Sequence, residues 1–292
     1  MPAKRILLGD LGGTRLRLSE RGVIDVKTFE PAKYPSLQAA LTAYAPDLKG
    51  ATLLLSFAKK VNADSVYHLD QAHKKGAWSF RIDDMKRDMG LKDMQVLHDM
   101  QAMGRAVFHP DAFTSIGGGA GNDGFKTIIN VGTGLGHAFI DPVRGAVHDT
   151  FGGHFPPTAV THEQREALRL IEKSFGDKRS FIWEEIVSGR GLEVLDEQTM
   201  DGTRLFCEFL GLYANTLAVS MDAFGGVYLC GGVIEHLFTQ NQFDIKAFTT
   251  YFLLNNVPIV DDALRTCPLY RAYLPHTALY GLDIYAQSLS HN

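Results

Sequence analysis

Lys4-Arg5-Ile6-Leu7-Leu8-Gly9-Asp10-Leu11-Gly12-Gly13-Thr14-Arg15-Leu16-Arg17-Leu18 reads as a strand (Lys4 to Leu8), a glycine turn, and a second strand that alternates with period two. The same order returns downstream. Thr127 to Val131 is a strand, Gly132-Thr133-Gly134-Leu135-Gly136 a turn, and His137 to Ile140 the return strand. The repetition points to an internal duplication of fold without sequence identity. Glycine between two strands lets backbone N–H groups approach an anion closely, and the Thr14 hydroxyl can donate to a phosphate oxygen. An ordinary hairpin turn is the competing reading for each motif taken alone. Gly132 to Gly136 is no Walker A loop, because no Lys-Ser/Thr follows.

Outward from these turns the chain alternates between strands and helices. Val23 to Phe29 reads as a third strand, and Ser36 to Ala45 as a helix. Leu53 to Phe57 is a continuous apolar run, as in a strand buried on both faces. Trp78 to Ile82 alternates, Asp83 caps a helix to Met89, and Gly90 stops it. Gln95 to Leu97 is a brief strand, after which Asp99 opens a helix from Met100 to Phe108. Gly117 to Gly124 reads as a flexible surface loop and hinge. Helices are expected at 163–175, 181–187 and 204–223. Val227 to Cys230 is a buried strand, Gly231-Gly232 turns into a helix at Val233, and Pro258 and Pro268 bracket late loops. A helix over 277–288 ends the pattern.

Two further sites carry chemistry. Gly231-Gly232-Val233, between strand and helix, would let a flat ring such as adenine lie against backbone; close helix–sheet packing explains it equally. His98-Asp99 follows a strand and precedes a helix, where a carboxylate can take a proton from a substrate hydroxyl. A helix N-cap is the plain alternative.

Composition narrows the classes. The chain has 292 residues, 29 of them glycine, a length suited to two lobes. Lys+Arg is 29 against Asp+Glu 33, a net charge of −4 without a basic tract, which argues against a nucleic-acid partner. No window approaches 18 uncharged apolar residues, so no membrane span is expected. Cys207, Cys230 and Cys267 are too scattered for a zinc ribbon or a disulfide framework and read as buried small hydrophobes in a reduced cytoplasm.

Taken together, the motifs resemble the bacterial-type glucokinase family, within the sugar kinase, heat-shock ATPase and actin superfamily. Gly9 to Thr14 resembles its first phosphate motif and Gly132 to Gly136, after Gly117-Gly118-Gly119-Ala120, its second. His98-Asp99 is similar to its Asn-Asp pair, and Gly152-Gly153-His154 to the end of its sugar loop. Trp78-Ser79-Phe80 with Met85-Lys86 resembles its tryptophan strand and following helix. Glu184 with Ser188 to Leu192, and Phe224 to Val233, resemble its glutamate segment and adenosine motif.

The resemblance implies an α/β, two-lobed actin-like ATPase (ribonuclease H-like) fold with a cleft between lobes. The small lobe would hold 1–108 plus 275–292 and the large lobe 109–274. It implies ATP and Mg2+ as cofactors and phosphoryl transfer to the 6-hydroxyl of a hexose, glucose by default. Asp99 would be the general base, and Asp10 would place magnesium through water. His98, Phe151, His154 and Glu184 would meet the sugar. Gly12, Gly13, Thr14, Gly132, Thr133 and Gly134 would hold phosphates, with Gly231 and Gly232 beside adenosine. The expected partner is a small-molecule sugar, with a homodimer allowed and neither nucleic acid nor membrane.

Four positions depart from the family on the sugar side. His98 stands for Asn, Phe151 for Glu, Lys74-Lys75 in the region of a Thr-Asn, and Phe57-Ala58-Lys59-Lys60 for a Pro-containing loop. A modified hexose (deoxy, amino-acylated or anhydro) is therefore an alternative acceptor, and a sugar- or nucleotide-binding sensor without catalysis is another class. Asp99 speaks against the sensor. A DNA-binding repressor lacks room for a helix-turn-helix before Lys4.

Overall fold

The computed structural model describes residues 5–58, 66–69, 78–176 and 181–289. Lys59-Lys60 and Lys74-Lys75 lie outside the described residues. The chain forms two compact units, Met1–Pro110 with His276–Asn292, and Asp111–Pro275.

The first unit contains strands β1 (Ile6–Leu11), β2 (Leu16–Glu20), β3 (Lys27–Phe29), β4 (Thr52–Phe57), β5 (Tyr67–Leu69), β6 (Trp78–Phe80) and β7 (Asp93–His98). Its helices are α1 (Leu37–Tyr44), α2 (Ile82–Met89) and α3 (Asp99–Arg105), joined by the C-terminal helix Thr277–Ser288. Its main sheet runs β3-β2-β1-β4-β7. β1, β4 and β7 are parallel, while β2 returns antiparallel from β1. Alternate residues serve opposite faces: Leu7, Leu53 and Leu55 pack under α1, whereas Leu8 and Leu54 pack with Leu279 and Leu282 of the C-terminal helix. Burial on both faces is what the continuous apolar run of β4 encodes.

The second unit adds β8 (Phe113–Gly117), β9 (Lys126–Val131), β10 (Leu135–Asp141), β11 (Ala146–Thr150), β12 (Val227–Cys230) and β13 (Leu269–Ala272). Its helices are α4 (His162–Phe175), α5 (Gly189–Gln198), α6 (Gly202–Ser220), α7 (Gly232–Thr239), α8 (Ile245–Phe252) and α9 (Pro258–Thr266), after which α10 (Thr277–Ser288) closes the first unit. The sheet order is β11-β10-β9-β12-β13-β8. β9, β12 and β13 are parallel, and β10 and β11 are successive antiparallel returns. Its first five strands therefore repeat the order and directions of the other unit, with β8 added at the edge. The core centres on α6, whose Phe206, Phe209 and Tyr213 are fully buried with Trp183, Phe248 and Phe252. No helix among the described residues is long and apolar enough to cross a membrane. All three cysteines are buried, and burial pushes the Cys207 and Cys267 thiols up to about 12.

Several local expectations are corrected. The third strand begins only at Lys27, because Val23 and Asp25 take positive φ. Asp83 lies in the first turn of α2 rather than capping it, while Gly90 does end that helix in the left-handed conformation. Residues 181–187 hold only a 3₁₀ turn, Trp183–Glu185, and the helix starts later, at Gly189 behind an N-cap by Ser188. Pro258 opens α9 instead of bounding a loop, as a first-turn proline can. The glycine segment after β8 is exposed as expected of a surface loop, but it is pressed against backbone: a Cβ on Gly118 would sit 2.1 Å from the Cys267 carbonyl oxygen and one on Gly119 2.7 Å from Thr266 Cα.

Candidate functional site

In the first unit the parallel strands β1, β4 and β7 bring their carboxyl ends to one edge of the sheet, where open α/β folds place ligands. Asp10 lies there on β1, 7% exposed. Its Oδ2 accepts from Arg17 Nη1 at 2.8 Å, and its Oδ1 accepts from Ser56 Oγ at 3.2 Å. Both partners sit directly opposite Asp10 in register, one on β2 and one on β4. Burying a carboxylate is costly unless it is paired and hydrogen-bonded, and these two partners do both. Beyond it, Gly12 N–H closes the turn onto Arg15 O at 2.9 Å. Gly13 and Thr14 are exposed at the tip, and a Cβ on Gly13 would meet nothing within 4 Å.

His98 ends β7 and Asp99 begins α3. The N-cap position falls on His98, whose side chain makes no cap hydrogen bond, so Asp99 is not the N-cap. Asp99 Oδ1 accepts from Met100 N–H at 2.7 Å and lies 3.3 Å from His98 Nδ1. About a fifth of each side chain is exposed, at 19% and 22%. A carboxylate thus placed is oriented by backbone yet reachable by solvent-borne groups.

In the second unit the glycine turn after β9 is closed by Gly132 N–H donating to Gly134 O at 2.9 Å. Gly132 O in turn accepts from Gly189 N–H, the first residue of α5, at 2.8 Å. A Cβ on Gly189 would touch both Gly132 O and Val233 Cγ2 at 3.5 Å. The turn therefore meets the N-termini of α5 and α7, whose dipoles carry partial positive charge and favour anions. Gly231 precedes α7 with φ +103°, and a Cβ there would lie 2.3 Å from Val131 O, so only glycine fits. Thr133 is exposed, and a Cβ on Gly132 or Gly232 would meet nothing within 4 Å.

Glu184 is drawn to the same turn, since its Oε2 accepts from Leu135 N–H at 3.0 Å. A Cβ on Gly134 would stand 2.8 Å from that oxygen, so a side chain there would displace the carboxylate. The segment Phe151 to His154 follows β11 as a 3₁₀ turn. Phe151 is 62% exposed with its ring edge-on to His154 at 5.6 Å, and His154 is exposed beside it.

Two residues of this region were not anticipated. His137 on β10 is 1% exposed, and burial lowers its pKa to about 3. A histidine inside an otherwise apolar strand was the only sequence signal. Tyr213 on α6 is fully buried; burial, reinforced by the charge of Glu184, pushes its ionisation well up. Its hydroxyl has no hydrogen-bond partner among the described residues. Removing a buried unsatisfied hydroxyl relieves a desolvation cost. Tyr213→Phe is therefore expected to stabilise the protein by about 1 kcal/mol, raising the calorimetric midpoint by roughly 2–4 °C. A fall in midpoint would contradict this.

Comparison with known proteins bears on this arrangement. A glucokinase family model matches residues 7–203 and 196–289. The glucokinase of Chromobacterium violaceum is 30% identical, with 92% of this chain and 88% of that protein covered. A glucokinase from an Antarctic psychrotroph superposes with a TM-score of 0.80 at 21% identity, covering 98% of this chain and 99% of that one. The glucokinase of Balamuthia mandrillaris, solved in complex with glucose, gives a TM-score of 0.74 at 20% identity, covering 97% and 93%. The structural likeness establishes the fold, the α/β actin-like ATPase fold of the sugar kinases. With the family model spanning nearly the whole described chain and a relative at 30% identity over 92% of it, the chain belongs to the glucokinase family.

Proposed function

We propose that this chain is a cytoplasmic hexose kinase that transfers the γ-phosphoryl group of ATP to the 6-hydroxyl of a hexose, glucose being the default acceptor. The observation that carries the reading is the Gly132–Gly134 turn bonded to the N-terminus of α5 and adjoining that of α7. Phosphoryl transfer needs mainly positioning and charge neutralisation, to which the dipoles of helix N-termini beside a glycine turn contribute.

The assigned roles are as follows. Gly132, Thr133 and Gly134 in the second unit, and Gly12, Gly13 and Thr14 in the first, hold phosphate oxygens. Gly231 and Gly232 adjoin adenosine. Asp99 takes the proton of the acceptor hydroxyl as the new P–O bond forms and the bond to ADP breaks. His98, His154 and Glu184 orient the sugar; Glu184 has one carboxylate oxygen committed to Leu135 N–H and another to offer a hydroxyl.

Magnesium, when bound, neutralises charge on the transferring phosphates. Asp10 would hold it through water. Each Asp10 oxygen accepts one hydrogen bond, leaving a lone pair for a metal-bound water, while Arg17 at 2.8 Å disfavours direct ligation. Magnesium characteristically keeps several waters and leans on substrate phosphates, so this donor set fits.

Phe151 favours a second reading. An exposed ring beside His154, in place of a carboxylate, suits an acceptor with a less polar face, such as a deoxy, N-acylated or anhydro hexose. The test is ATP-dependent ADP release over a panel of glucose and such sugars. Highest kcat/KM for glucose supports the default, preference for a modified sugar supports the second reading, and no release with any hexose overturns both. Phe151→Glu is expected to shift selectivity toward glucose by roughly tenfold or more, since a site that hydrogen-bonds a hydroxyl discriminates strongly.

A further inference from the structure

His137 sits between two threonine hydroxyls, and the chain of hydrogen bonds through it ends on the backbone of the Phe151–His154 turn. Its Nε2 is 2.8 Å from Thr127 Oγ1, and its Nδ1 is 2.7 Å from Thr150 Oγ1. Thr150 Oγ1 accepts from Gly152 N–H at 3.1 Å. At the other end Thr127 Oγ1 donates to Ala138 O at 3.4 Å. Thr127 is fully buried on β9, and Thr150 lies directly opposite His137 in the β10–β11 register.

Only one proton arrangement uses every group once. Thr127 has a single hydroxyl proton, and it goes to Ala138 O. Thr127 Oγ1 must then accept from His137 Nε2–H, which leaves Nδ1 as an acceptor. Thr150 donates its hydroxyl proton to Nδ1, and its oxygen is free to accept from Gly152 N–H. The imidazole is thereby fixed as the neutral Nε2–H tautomer, and all bonds run in one direction from Gly152 to Ala138. Sterics reinforce the arrangement: a Cβ on Gly152 would lie 2.9 Å from His137 Nδ1 and 3.2 Å from the Tyr213 hydroxyl.

We infer that the Thr127–His137–Thr150 relay is a positioning device that anchors the Phe151–His154 turn through Gly152 N–H and so sets the acceptor affinity of the enzyme. The effect on affinity rests on the assignment of that turn to the sugar; the anchoring does not. His137 itself touches no substrate in this scheme. It acts through Thr150 on the backbone that carries Phe151 and His154.

The test compares Thr150→Val, which keeps the β-branched shape but deletes the hydroxyl, with Thr150→Ser, which restores it. Two readouts are taken on the full-chain variants, and a third, the histidine tautomer, on the parent. One is amide hydrogen exchange at Gly152–His154 without sugar. The other is KM for the preferred hexose and, separately, for ATP. In Thr150→Val, exchange is expected to rise at least tenfold and hexose KM roughly tenfold, with ATP KM unchanged; Thr150→Ser stays within about twofold of the parent. Imidazole ¹⁵N shifts should report the Nε2–H tautomer in the parent. Unchanged exchange in Thr150→Val, or the Nδ1–H tautomer, overturns the relay. Raised exchange with unchanged hexose KM leaves the anchor standing and overturns its role in acceptor affinity. Should the parent phosphorylate no hexose, exchange and tautomer still decide the anchor.

Discussion

Asp99→Asn is expected to lower kcat by about 10³-fold while the affinity for ATP and the thermal midpoint stay as in the parent. The substitution is the informative one because Asn retains the Oδ1 acceptor. Met100 N–H, which Asp99 Oδ1 accepts at 2.7 Å, therefore keeps its partner, and the start of α3 is undisturbed. What is lost is the capacity to take a proton from an acceptor hydroxyl as it attacks phosphorus. A general base is worth two to four orders of magnitude, so the loss should dwarf any change in binding. Measurement is by coupled ADP release at saturating hexose, with ATP binding followed by calorimetry. Turnover within threefold of the parent would remove Asp99 as the base and return it to the backbone role it already plays at Met100.

Gly281→Ala is expected to destabilise the protein by about 3 kcal/mol, near the top of the usual range for overpacking. Gly281 lies on α10, and a Cβ there would stand 1.7 Å from Ala102 O and 3.1 Å from Ala106 N. The obstructing atoms are backbone, so no rotamer change relieves the clash and the helix itself has to retreat from α3. Retreat loosens Leu279 and Leu282 from Leu8 and Leu54. It also moves α3, whose first residue is the proposed base Asp99, and displacement of a base by about 1 Å costs on the order of 10²-fold in rate. A calorimetric midpoint lowered by roughly 6–12 °C, together with reduced kcat, is the expected result. A midpoint within a degree of the parent would show that the helices do not meet as tightly as described.

How much was legible beforehand varies with the kind of information involved. The two strand–turn–strand units were readable because glycine clusters and period-two alternation are local signals, and β1–β2 and β9–β10 pair as that reading requires. Membership of the glucokinase family was readable for the same reason, since its motifs are short and ordered along the chain. Other glycines misled. Gly117 to Gly121 suggested looseness, yet Gly118 and Gly119 are there because Thr266 and Cys267 leave no room for a side chain. The same letter marks freedom or crowding, and only the neighbours decide which. Residues 181–187 were expected to be helical, and the buried Trp183, Ile186 and Val187 do stand at i, i+3, i+4, yet the chain makes only a single 3₁₀ turn there before α5 begins.

The sequence by itself determined the local devices: glycine turns between strands, a carboxylate at a strand's end, a histidine and a phenylalanine in the turn after β11. It also determined the family. Tertiary structure alone decided what those devices touch. Asp10 meets Ser56 across 46 residues, Glu184 meets Leu135 N–H across 49, and His137 is held between threonines contributed by two neighbouring strands. Such contacts follow from strand register and from the path of helices between strands, which depend on the packing of whole layers. A sequence states each partner's chemistry, but the partnership exists only once the sheet has set its register.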